Sequence, residues 1–170
     1  MRVLLFIITF SVFSLCAFGQ INVNVDGKID DNEYSSVYNV DKDFKVYISY
    51  DNNNVYVGLS SNSKGWVSVG FGSPVMDKSI MFIGYFDKKS NKFYVEQNIG
   101  VKHNHVKAEK NEVIKFSGNR DSKTTTLEFV IPRKLIGLEL KGKVPVIWAY
   151  SSSDSLKTYH SKRGKFDLNF

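Results

Sequence analysis

From Phe44 onward the chain is written in a period of two. Phe44, Val46, Ile48 and Tyr50 fall on one face of an extended segment, and Val55, Val57 and Leu59 on one face of the next. Alternate side chains of a strand point to opposite sides, so each run presents a single apolar face. Asp51-Asn52-Asn53-Asn54 between them reads as a hairpin loop, because Asn and Asp tolerate left-handed backbone. Further runs at 66–71, 79–86, 93–99, 112–117, 124–131, 143–151 and 165–170 are separated by turn residues. Helix formers do not compete: past residue 19, Ala occurs only at 108 and 149, whereas Val, Ile, Thr, Tyr and Phe are plentiful. The expected fold is all-β, an antiparallel immunoglobulin-like sandwich of about ten strands. Two short segments read as helical turns, 30–34 and 132–136, the second opened by a proline suited to a first turn.

Residues 1–19 stand apart from this pattern. Met1-Arg2 supplies a positive start, the apolar run 3–18 is broken only by Thr9, Ser11 and Ser14, and Ala17-Phe18-Gly19 puts small residues at −3 and −1 of a cut before Gln20. The run is short for a bilayer span. The expectation is a signal peptide over 1–19 and one domain over 20–170, secreted, periplasmic or on the cell surface, with no transmembrane anchor after cleavage. Cys16 is the only cysteine, and Leu15 before it is too large for a lipoprotein site. Without residues 1–19 the chain has no disulfide, no thiolate nucleophile, no Cys-ligated metal site and no C-x-x-C-H for covalent haem.

The net charge of +6 comes from 23 Lys and Arg set against 17 Asp and Glu, and no run of Lys and Arg exceeds a pair, as at Lys88-Lys89 and Lys162-Arg163. A nucleic-acid binder gathers its bases into a stripe, so that partner is not expected. The charge reads as solubility or as attraction to an acidic partner. No G-x-S-x-G, P-loop or H-E-x-x-H occurs, and no catalytic constellation argues for an enzyme. His103-Asn104-His105 puts two imidazoles on one strand face, but a metal site needs a third ligand and none is evident; a solvated polar strand is the plainer reading. The carboxylate-rich stretch 25–34 lacks the spacing of a calcium loop and reads as a turn clipping the N-terminus onto the sandwich.

Two segments carry more. Gly65-Trp66-Val67-Ser68-Val69-Gly70-Phe71-Gly72 alternates small residues with large ones, and glycine inside a strand marks close approach of a ligand or another backbone. Ser73-Pro74-Val75-Met76 and a strand from Ser79 to Tyr85 follow. Later come Trp148-Ala149, a polar loop, and His160 ahead of Gly164 and Leu168. With a turn running from Phe129 through Arg133 to Leu135, this ordered set resembles the DOMON domain family over roughly 40–170.

The resemblance implies a β-sandwich. In the cytochrome members, such as the haem domain of cellobiose dehydrogenase and related dehydrogenase haem subunits, it implies noncovalent haem b held by Met and His. Met76 and His160 fall on those positions as the axial ligands of the haem iron. Trp66 and Phe71 would wall the macrocycle, Lys162 and Arg163 would meet its propionates or else stand as a solvated charge pair, and the two ligand loops would face each other from one end of the sandwich. The implied role is electron transfer with a redox partner protein whose identity is unknown. The alternative is a haem-free binding module for carbohydrate or a cell-surface partner, with Tyr47, Tyr56 and Tyr94 as outward aromatics. Met81, in mid-strand, reads as a core residue, and Arg133 as a structural one bonding carbonyls or a carboxylate.

Overall fold

The two-residue period is realised as eleven strands in a computed structural model that describes residues 21–137 and 142–169; the expected signal peptide lies outside them. The strands are β1 (Ser36–Asp41), β2 (Phe44–Tyr50), β3 (Asn54–Ser61), β4 (Val67–Phe71), β5 (Ile80–Asp87), β6 (Lys92–Val101), β7 (Asn104–Lys107), β8 (Lys115–Arg120), β9 (Thr125–Pro132), β10 (Lys143–Tyr150) and β11 (Lys162–Asn169). They form a five-stranded sheet in the order β1-β2-β3-β9-β8 and a six-stranded sheet in the order β11-β10-β4-β5-β6-β7, every pairing antiparallel. The fold is the all-β sandwich that the alternation predicts.

The inner faces meet in one apolar core. Val46, Ile48, Val57, Leu59, Leu127 and Phe129 of the smaller sheet pack with Val67, Val69, Phe71, Phe82 and Val146 of the larger. Phe82 and Phe129 meet across the layers with ring centroids 5.2 Å apart, and Phe44 stacks on Trp148 at 5.4 Å. Burying each such side chain is worth about 1.5–3 kcal/mol.

The edge strands β1 and β7 fall outside the predicted runs, because SVYNVD and NHVK carry too few apolar residues to show a face. The turn at 132–136 is a single 3-10 turn, Arg133–Ile136, closed by Gly137 in left-handed conformation at φ 72°. No helix forms at 30–34. That segment is held by side chains instead. The fully buried carboxylate of Glu128 accepts hydrogen bonds from the backbone N–H of Asp26 (3.1 Å) and Gly27 (2.8 Å) and from the Tyr34 hydroxyl (2.8 Å). This is the expected clip, and a buried carboxylate is stable there because its acceptors are satisfied.

Candidate cofactor-binding site

On β4 the inward set is Val67, Val69 and Phe71, so Ser68 and Gly70 face away from the core. Register extends that outer face across the sheet. One row runs Lys165, Ile147, Gly70, Met81 and Asn98; the next runs Arg163, Ala149, Ser68, Ile83 and Glu96. The middle of both rows is apolar or small, and basic residues stand at the β11 end. A Cβ on Gly70 would lie 2.8 Å from Met81 Cγ and 2.9 Å from Ile147 Cγ1. Only glycine lets those two side chains close over β4 and make a continuous floor.

Two loops fold over this floor. The loop 72–79 leaves the C-terminal end of β4, and the loop 151–161 follows β10, whose last residue pairs with the first of β4. Together with the β6–β7 turn they enclose a concavity of about 1150 Å³, larger than the roughly 300–1,000 Å³ of most ligand clefts. Its walls include Trp66, Met76, Met81, His103, His105 and His160, so every Met and His among the described residues lines this one concavity.

The Met76 loop is tied down from behind. Lys78 N–H donates to Gly100 O (2.9 Å), Gly100 N–H to Ser79 O (2.9 Å), and Lys102 N–H to Asp77 Oδ1 (2.7 Å). A Cβ on Gly100 would sit 1.6 Å from Met76 O, so the loop rests directly on a glycine of β6. The His160 loop is stapled by Trp66 N–H to Ser153 O (3.1 Å), Ser151 N–H to Trp66 O (2.9 Å) and Ser161 N–H to Tyr150 O (2.7 Å). Its outer arm is held by Arg120, whose Nη1 donates to Asp154 Oδ2 (2.7 Å) while its guanidinium lies 5.5 Å from the Phe86 and 5.6 Å from the Phe93 ring centroid.

The expected residues are thus distributed unevenly. Met76, His160 and Trp66 line the concavity, and Trp66 Nε1 is buried there without an acceptor among the described residues. Phe71 does not line it. Period two turns Phe71 into the inter-sheet core at 0% exposure, against Phe82, so the expected pocket role for Phe71 does not fit its position. Met81 is buried, but on the concavity's floor rather than in the core. The ligand loops come from opposite ends of β4, not from one end of the sandwich. Of the paired cations, Arg163 lines the concavity, while Lys162 turns to Asp41 (3.0 Å) and Asp43 (3.6 Å). The Asp43 backbone N–H, which donates to Asp41 Oδ1 (3.1 Å), and then the Lys162 ammonium hold the Asp41 carboxyl below its usual range, and the hydrogen bond to Asp41 holds the Lys162 ammonium above its own. Arg133 Nη1 donates to Asp51 O (3.0 Å), in keeping with its expected structural role.

Lys102, Lys157 and Lys165 join Arg163 on the rim against the single carboxylate of Asp77. None of the four cations forms an ion pair among the described residues. Three of them escape a reading of runs and motifs. Strand register would have found Lys165, as the neighbour of Ile147; Lys102 and Lys157 are isolated loop residues with no signal.

The donor set suits a flat, largely apolar, anionic iron macrocycle: soft thioether and imidazole above an apolar floor, with unpaired cations at the rim. No group of three or more His, Cys, Asp or Glu side chains able to hold a metal ion occurs among the described residues. No helix among them is long and apolar enough to cross a membrane.

Residues 40–151 match the DOMON domain profile. Two solved structures share the fold. The cytochrome b domain of pyranose dehydrogenase from Coprinopsis cinerea aligns with TM-score 0.56 and 11% identity over 74% of each chain. The cytochrome domain of Myriococcum thermophilum cellobiose dehydrogenase aligns with TM-score 0.56 and 12% identity, over 78% of this chain and 79% of that one. No curated protein matches the chain in sequence.

Proposed function

The chain belongs to the DOMON domain family, and on that premise we propose that it is an exported haem b-binding module for electron transfer, its iron held by Met76 and His160. The observation that carries this reading is the convergence of the thioethers and imidazoles on one concavity, in a fold shared with two cytochrome domains.

When bound, haem b supplies a one-electron iron couple. The chain's residues set its character. Met76 would offer a soft donor that favours reduced iron and raises the potential, and His160 a stronger nitrogen donor. With both residues donating, the iron would keep no position open for oxygen, which suits electron transfer. Ile83, Ile147, Ala149 and Trp66 line the site with apolar surface that would exclude water around the bound group and so strengthen interactions with charge there. Arg163 and Lys165 stand where register brings them beside that floor, as unpaired counter-charges for propionates. The cationic rim also fits an acidic redox partner. Residues 1–19 act as a signal peptide in this reading, leaving Gln20 at the start of a single domain over 20–170; the intact mass of exported protein tests that cut.

The test of cofactor binding is titration of purified protein with haemin. A low-spin Soret band that sharpens into α and β bands on reduction supports the proposal, and a chain that stays colourless refutes it. One observation favours a second reading, the haem-free carbohydrate module. Tyr94 is partly exposed and stacks on Tyr85 at 5.9 Å, whose hydroxyl donates to Glu96 (3.0 Å), giving an aromatic platform beside a carboxylate. A glycan array distinguishes the two, since the haem module leaves it blank.

A further inference from the structure

His105 has a neighbour that the other two histidines lack. Its Nδ1 lies 3.0 Å from Oδ1 of Asn98, a side chain only 3% exposed on the adjacent strand. Asn98 Nδ2 points to Glu96 O (3.5 Å), which orients the amide so that its oxygen faces the imidazole. A carbonyl oxygen only accepts, so Nδ1 carries a proton, and in the neutral ring the lone pair is on Nε2. A buried acceptor that fixes the tautomer and frees the opposite nitrogen is the outer-shell support that ligating histidines have.

The backbone puts this imidazole beside Met76. His105 is the cross-strand partner of Gly100, and a Cβ on Gly100 would fall 1.6 Å from Met76 O. Directly paired residues have Cβ positions about 4.5–5.5 Å apart, which puts the His105 Cβ within roughly 7 Å of the Met76 carbonyl. Both side chains line the same concavity. Resting on the haem reading above, we infer that His105 is a second axial donor on the Met76 side: its Nε2 takes the iron position opposite His160 whenever the thioether is withdrawn.

The test compares the full chain with Met76→Leu, His105→Ala and the double variant, each loaded with haemin and read by the optical spectrum of the ferric protein and, after reduction with dithionite, by carbon monoxide uptake. Met76→Leu keeps the side-chain volume, and His105 is exposed, so both variants fold. Met76→Leu is expected to lose thioether-to-iron charge transfer yet stay low-spin, through His105. Adding His105→Ala should then turn the iron high-spin and open it to carbon monoxide. Adding Asn98→Ala to Met76→Leu should weaken haem retention about 10-fold or more. If Met76→Leu is already high-spin, or the double variant remains low-spin, His105 is not the donor, although haem binding through His160 stands. If the unaltered chain shows no Soret band, the haem reading itself fails, and this inference with it.

Discussion

Gly100→Ala is the sharpest structural perturbation of the site. The added methyl would meet Met76 O at 1.6 Å and Met76 C at 2.6 Å, and both atoms are backbone. Real Cβ contacts essentially never fall under 3.0 Å, so the Met76 segment must retreat by roughly 1.4 Å or β6 must bend away. Either movement stretches two hydrogen bonds that are now 2.9 Å long, from Lys78 N–H to Gly100 O and from Gly100 N–H to Ser79 O. Overpacking typically costs about 1–3 kcal/mol, and each net hydrogen bond lost about 1 kcal/mol. We therefore expect a loss of about 3–5 kcal/mol if the loop stays docked. For a domain of this size that lowers Tm by roughly 6–20 °C. If the loop undocks instead, stability falls less, and the thioether leaves the iron. Thermal unfolding of the apoprotein and the ferrous spectrum of the haem-loaded protein read the two outcomes, with Val101→Ala as an exposed control on the same strand. A Tm within about 1 °C of the parent together with an unchanged spectrum would refute the claim that the Met76 loop rests on Gly100.

Asp154→Ala removes the carboxylate partner of the Arg120 guanidinium, a side chain 14% exposed beside two phenylalanine rings, and releases the arm of the His160 loop. Urea unfolding should show a loss of about 3 kcal/mol or more, and an unchanged midpoint would contradict it. His160→Ala removes the nitrogen donor and should strip haem from the protein on a desalting column; retention equal to the parent's would exclude His160 as a ligand. Burial outweighs three hydrogen bonds at Glu128 and raises its carboxyl above the ordinary 4.5. A raised folded-state value means this group's stability is fully present below 4.5 and is lost as pH climbs through the folded value. Glu128→Gln, which can still accept from the two backbone N–H groups, should accordingly gain on the parent as pH rises from 4 to 7 in urea titrations. A constant difference across that range would show that Glu128 does not titrate as described.

The core was legible because alternation is a local signal: Val67, Val69 and Phe71 declare one face of β4 in five residues. The same alternation would have excluded Phe71 from the pocket, since Trp66, Ser68 and Gly70 must point the other way. The ordered motif set singled out Met76, His160 and the Trp66 strand, which share the lining of one concavity, but not the geometry between them. Which ends of β4 the two loops leave depends on the β10–β4 register, and that is nonlocal. Arg120 and Asp154, 34 residues apart, carry no mutual signal in sequence. Asn98 and His105 look like ordinary polar edge residues until pairing brings them together.

Ligation by Met76 and His160 of an iron macrocycle against the outer face of the six-stranded sheet is open to iron-edge X-ray absorption of the haem-loaded, reduced protein. We predict one sulfur and one imidazole nitrogen in the axial shell, with the sulfur lost in Met76→Leu. A protein that retains no iron, or an axial shell without sulfur, would contradict the account.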